Sequence, residues 1–152
     1  MKNRQSGHAM IELAASAAVM VTCIAGTFQF GYTFYVYNQL VTAVGNGARY
    51  AATRPYNPAD ADKTNQSIRN LVVFGDPQPA LEAQPVVAGL TPQNVNIDWT
   101  MESNAPSAVS ISIHEFALDA VFAKFVFNGR PGVEFPYVGG APPATAENKA
   151  NK

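Results

Sequence analysis

From Leu13 to Ala48 the chain carries no Asp, Glu, Lys or Arg, and its first 54 residues contain no proline. A stretch without charge has little to hold it in water, and one without proline has nothing to break a helix. Together the two absences point to one long continuous helix, half of which needs a solvent other than water. Charge is scarce throughout: 14% of residues against a usual quarter. With 152 residues there is room for one further small domain.

The stretch from Leu13 to Tyr37 would be about 37 Å long as a helix. A bilayer's hydrocarbon core is about 30 Å thick, so the segment can span it with some tilt. Ser16, Thr22, Thr27, Gln29 and Thr33 dilute its hydrophobicity. Ser and Thr hydroxyls can bond back to carbonyls of their own helix, which makes them tolerable in lipid. Phe28, Phe30, Tyr32, Phe34, Tyr35 and Tyr37 gather at its distal end, where an interfacial aromatic belt belongs.

Helical spacing continues past the span through Leu40, Val41, Val44, Ala48 and Ala51. Pro55 marks the stop, because it cannot sit inside a helix and it biases Arg54 out of helical geometry. The expected organisation is a leader over residues 1–7, a helix over 8–54 with its span at about 13–37, an exported domain over 55–140 and a disordered tail over 141–152. Lys2 and Arg4 precede the span and no acid does. That bias keeps the N-terminus cytoplasmic and exports the rest; in a bacterium the exported part is periplasmic. Gly26, Gly31, Gly45 and Gly47 each weaken the helix locally, by about 1 kcal/mol against Ala, and suit close helix packing, with a kink or hinge as the alternative.

The exported part reads as α+β. Ala61 to Phe74 predicts a short helix with Ile68, Leu71 and Val72 inward. Val95, Ile97, Trp99 and Met101 alternate with polar residues, and so do Val109, Ile111 and Ile113, around a turn at 103–107. This is an antiparallel hairpin with one buried face. Two strands are only marginally stable alone, so the hairpin should cover Leu40, Val44 and Ala48 of the long helix. Val133 to Val138 is a candidate third strand. His114 to Phe127, with Phe116, Leu118, Val121, Phe122 and Phe125, reads as a short helix or loop.

Several function classes find no support. Ten basic residues against eleven acidic ones leave a net charge of -1, so no nucleic-acid partner is expected. The single cysteine, Cys23, excludes an intrachain disulfide and a Cys-cluster metal site; in mid-span it reads as a small packing residue. Nucleophile-elbow, zinc-protease, P-loop and dinucleotide motifs are lacking, so neither an enzyme nor a cofactor is expected. His114, Glu115 and Asp119 are the only candidates for a metal or a polar pocket, and three such ligands make a weak site. Arg49 and Arg54, just beyond the span, are expected on helix C-terminal carbonyls or on Asp60 or Asp62, with a contact to a neighbouring subunit as the alternative.

The start of the helix is more specific. It reads Ser6-Gly7-His8-Ala9-Met10-Ile11-Glu12. A secretory signal peptide is cut after its apolar region. Here the polar, basic leader lies before the apolar region, so cleavage there would leave the helix attached. This arrangement resembles the class III signal of type IV pilins and pseudopilins, cut by a prepilin peptidase after the Gly. The run from Gly7 to Thr53 is similar to the TadE-like pseudopilins of tight-adherence pili. That family typically reads G-x-A-x-V-E-F-A-L, then an apolar run, then E-F-G-R and A-x-x-G-A-R-Y-A-A. The last piece stands here as Gly47-Ala48-Arg49-Tyr50-Ala51-Ala52. Ile11 and Leu13 depart conservatively; Gln29-Phe30-Gly31-Tyr32 loses both charges of E-F-G-R.

The resemblance implies cleavage between Gly7 and His8, with Glu12 as the fifth mature residue. A carboxylate deep in a membrane costs a few kcal/mol. The new ammonium on His8 could neutralise it, within a chain or between neighbours, and so set subunit register. The alternative is a Glu12 that caps the helix against its dipole. Ala14, Ala15, Ala17, Ala18, Gly26 and Gly31 would permit close lateral packing. Implied partners are the prepilin peptidase, other pilin-like subunits, the inner-membrane assembly machinery and lipid. The implied role is pilus assembly and surface adhesion, at the bacterial inner membrane and in an extracellular pilus. Two alternatives stay open: a signal-anchored periplasmic binding module that never enters a filament, and the major filament subunit itself.

Overall fold

The computed structural model describes residues 3–102, 105–119 and 124–139, with side chains in the first helix from Gly7 onward. Helix α1 runs from Asn3 to Thr53 and α2 from Ala61 to Phe74. Five strands follow: β1 (Val95–Glu102), β2 (Ala105–Ile113), β3 (Phe116–Asp119), β4 (Lys124–Phe127) and β5 (Gly132–Pro136). The class is α+β, a long apolar helix followed by a small domain with an antiparallel sheet. The expected turn residues 103–104, Val121 and Phe122, and the tail over 141–152 lie outside the described residues.

Helix α1 ends two residues before Pro55, as the missing N–H and the steric demand of proline require. The expected hairpin is present, with Val95 opposite Ile113, Ile97 opposite Ile111 and Trp99 opposite Val109. Strand β5 pairs with the other edge of β2, placing Val133 opposite Ile111 and Phe135 opposite Val109. The sheet order is therefore β1-β2-β5, with β2 central. Because side chains alternate along a strand, one face collects Val109, Ile111 and Ile113 of β2 and Val133 and Phe135 of β5. That face packs on the distal half of α1 and on α2, and Leu40, Val44, Ala48, Ile68, Val72, Val109, Ile111 and Ile113 are fully buried there.

Helix α2 closes on Gly75, whose backbone is left-handed (φ 75°) and whose N–H donates to the Leu71 carbonyl at 2.9 Å. Glycine suits that position because it has no Cβ to clash. The proline-rich loop that follows contributes Val87 and Leu90 to the core, and the Val86 N–H donates to the Val73 carbonyl at 2.8 Å.

Four expectations need correction. Within His114–Phe127, residues 116–119 and 124–127 are strands and not a helix or loop: β3 and β4 form a separate two-stranded sheet, with Phe116 opposite Phe127 and Leu118 opposite Phe125. Its apolar residues fit both a helical and a strand period, and packing selects the strand. Met101 is exposed rather than buried, because the β1–β2 register shifts between Thr100 and Met101 and the far end of the hairpin is solvated. On α2 it is Val73, beside Ile68 and Val72, that is buried, while Leu71 is half-buried. Strand β5 stops at Pro136, and the next two residues turn onto the end of α1.

Candidate assembly surface

Two surfaces of α1 differ in kind. From Gly7 to Tyr35 the helix stands almost bare. Met10, Ile11, Leu13, Val19, Met20, Val21, Ile24, Phe28, Phe30, Phe34 and Tyr35 are all exposed. Neighbours in that series fall on every side of a helix with 100° per residue, so this is not an amphipathic face awaiting one partner. It is an apolar cylinder, the only helix among the described residues long and apolar enough to cross a membrane. It fits a single-pass membrane anchor.

Three threonines of this cylinder are internally engaged. The hydroxyl of Thr22 donates to the Ala18 carbonyl at 2.8 Å, that of Thr27 to Cys23 at 2.9 Å and that of Thr33 to Gln29 at 3.0 Å. Each covers its polarity against the turn before it, as lipid exposure requires. Cys23 is a free, exposed thiol.

Gly7, His8 and Glu12 lie in the same continuous helix, at the start of the cylinder. His8 and Glu12 are one helical turn apart on one side of α1, and both are exposed. Ala14, Ala15, Ala17, Ala18, Gly26 and Gly31 are exposed as well. A Cβ built on Gly7, Gly26 or Gly31 would meet nothing within 4 Å. Whatever these positions pack against lies outside this chain's described residues.

Beyond Tyr35 the same helix is covered by its own domain. Here the Gly47-Ala48-Arg49-Tyr50-Ala51-Ala52 segment has a clear structural role. A Cβ on Gly47 would come within 2.4 Å of Val72 Cγ2 and 3.4 Å of Ile111 Cδ1. Val72 is β-branched and stiff, so only glycine lets α2 and the sheet approach this closely. Ala48, Ala51 and Ala52 are buried at the same contact. The two arginines do not take the acidic partners expected of them. The Arg49 guanidinium lies 6.0 Å from the Phe135 ring centre and that of Arg54 4.6 Å from the Tyr50 ring, within the range of cation–π attraction. Asp60 pairs instead with Lys63 at 3.3 Å.

Sequence reasoning missed what seals the end of α1. The Tyr137 hydroxyl donates to the Arg54 carbonyl at 2.8 Å and accepts from the Tyr56 N–H at 2.7 Å. The Val138 N–H donates to the Ala52 carbonyl at 2.9 Å. These groups satisfy carbonyls that a helix end leaves without intrahelical partners. Trp99 packs between Tyr56 and Tyr137, with ring centres 5.1 and 6.1 Å away, and donates to Asn65 Oδ1 at 3.0 Å. Nothing local in the sequence pairs residues this far apart.

The His114, Glu115 and Asp119 set does not assemble into a site. His114 Nε2 lies 3.1 Å from Ser112 Oγ, and Asp119 pairs with Lys124 at 3.2 Å. Among the described residues no group of three His, Cys, Asp or Glu could hold a metal ion. An open groove of about 320 Å³ lies elsewhere, between α1 and the end of α2, lined by Tyr35, Asn38, Thr42, Leu71 and Val86 among others. It holds none of the three.

The bare cylinder, the glycine at its head and the G-A-R-Y segment at its covered end together bound one stretch of chain. Residues 7–49 match the TadE-like protein family. The match begins on the glycine of the expected cleavage site and ends on Arg49, so it takes in the bare cylinder and most of the covered half. The TadE-like resemblance read from the sequence is thus borne out on the helix. The family suggests a pilin-like protein associated with the tight-adherence pilus. No curated protein and no solved structure matches the chain.

Proposed function

We propose that this chain is a pseudopilin of a tight-adherence, type IV-like pilus, acting in pilus assembly and surface adhesion. The observation that carries the reading is the bare apolar cylinder with Gly7 and Glu12 at its head, inside the TadE-like stretch. Its own domain seals the other half of the helix and leaves this half for lipid first and sister helices later. The N-terminus stays cytoplasmic and the domain is periplasmic.

The steps are association steps and not catalysis by this chain. Prepilin peptidase cuts the Gly7–His8 bond at the cytoplasmic face and frees an ammonium on His8. That ammonium and the Glu12 carboxylate neutralise each other between neighbouring subunits, which fixes the stagger of one helix against the next. The Ala14–Ala18 region and Gly26 and Gly31 allow the helices to approach closely once they leave the bilayer.

Mass analysis of the protein from its native host tests this directly. The mature chain is expected to begin at His8, and Gly7→Leu is expected to keep the leader. Glu12→Ala should be inserted and cut normally but yield little pilus. A mature protein beginning at Met1 would overturn the processing step. Normal pilus output from Glu12→Ala would reduce Glu12 to a helix cap.

A further inference from the structure

We propose that the β3–β4 hairpin is a second membrane-contact element, seating Phe125 and Val126 in the head-group boundary of the leaflet from which the domain emerges. The inference rests on α1 spanning the bilayer. Strands β3 and β4 form a sheet of their own, separate from the three-stranded sheet. Phe116 and Leu118 root the hairpin in the core, and Phe127 stacks on Phe116 with ring centres 6.0 Å apart. Phe127 also meets Tyr37 of α1 at 6.1 Å. The next residues along β4, Phe125 and Val126, are 40% and 67% exposed.

The position of Tyr37 sets the height. A span that starts at Leu13 and crosses about 30 Å of hydrocarbon leaves it near Tyr32. Tyr37 then lies about 7.5 Å further along the axis, inside the head-group layer. The hairpin is thus docked where the exposed aromatics Tyr32, Phe34 and Tyr35 of α1 already form an interfacial belt. Going down α1, Arg54 meets Tyr137, Gly47 meets Ile111 and Tyr37 meets Phe127, so the strands descend along the helix toward the span. Lys124 and Asp119, paired at 3.2 Å and exposed, offer the lipid head groups polar partners beside the two apolar side chains. An apolar pair exposed at this level is covered by the bilayer the helix already occupies, with no further partner required.

The test uses the full chain in phosphatidylethanolamine–phosphatidylglycerol vesicles, with Cys23→Ala as background. An environment-sensitive fluorophore is attached in turn at Val126→Cys, Val19→Cys and Glu102→Cys, and the native fold is checked by Trp99 emission. The Val126 label should emit to the blue of the Glu102 label and be quenched roughly twofold by lipids spin-labelled near the head group, as for groups seated at the interface. The Val19 label should respond to spin labels deep in the chains. A Val126 label that behaves like the Glu102 label, while Val19 still reports lipid, would overturn the hairpin contact and leave the span intact. A Val19 label in water would overturn the span itself. A shielded Val126 label that ignores spin-labelled lipid and cross-links to a second copy would assign this face to a neighbouring subunit and overturn the lipid contact.

Discussion

The two halves of α1 are built from similar residues and meet opposite surroundings. Tyr35 is 59% exposed and Val36, the next residue, is 4% exposed. Before that point Leu13 and Val19 stand free; after it Leu40 and Val44 are sealed. Hydrophobicity alone therefore does not say which half belongs to the domain. What differs is the kind of apolar surface. The first half is apolar all round, which suits a solvent. The second confines its burial to one side, with Asn38, Thr42, Asn46 and Arg49 exposed on the other, which suits a folded partner.

Truncating a leucine on each half should give the largest contrast. Leu40→Ala is expected to destabilise the domain by about 2–5 kcal/mol, the usual loss for a fully buried leucine. Leu13→Ala should leave domain stability unchanged. Denaturant unfolding of the full chain in micelles, followed by the single tryptophan, reads both. Equal losses would mean that the halves are not separate.

Glycine substitutions sharpen the contrast, because they should act in opposite directions. Gly47→Ala puts a methyl group into the Val72 side chain and should cost about 1–3 kcal/mol, as overpacking does. Gly26→Ala meets open space and should leave the domain unchanged while firming the helix by about 1 kcal/mol. The first is read by the same unfolding curve, the second by amide exchange along α1. A neutral Gly47→Ala would show that α2 can retreat freely.

The smallest effect concerns the end of the covered half. Tyr137→Phe removes the hydroxyl shared by Arg54 and Tyr56 and should cost about 1 kcal/mol, the net value of a typical hydrogen bond. Faster amide exchange at Tyr56 should accompany it. Unchanged exchange there would mean that solvent replaces the tyrosine without loss.

Much of this molecule was legible in order along the chain. The helix stop before Pro55, the α2 segment and the facing apolar residues of β1 and β2 all follow from period and punctuation. The resemblance on Gly7, Glu12 and Gly47–Ala52 was legible too, carried by residue identities compared with a known family. The reading faltered where one residue set fits two periods, as at Phe116, Leu118 and Phe125. It also faltered where a partner is distant, as for Arg49 with Phe135 or Tyr137 with Arg54.

By itself, then, the sequence determined a long apolar helix, its stop before Pro55 and the glycine–glutamate signature near its head. These depend on solvation and on backbone rules that act within a few residues. Only the tertiary structure decided why Gly47 must be glycine, which distant groups seal the end of that helix, and that β3 and β4 pair and rest on Tyr37. Those outcomes depend on close packing between segments far apart in the chain, and packing has no local signal to read.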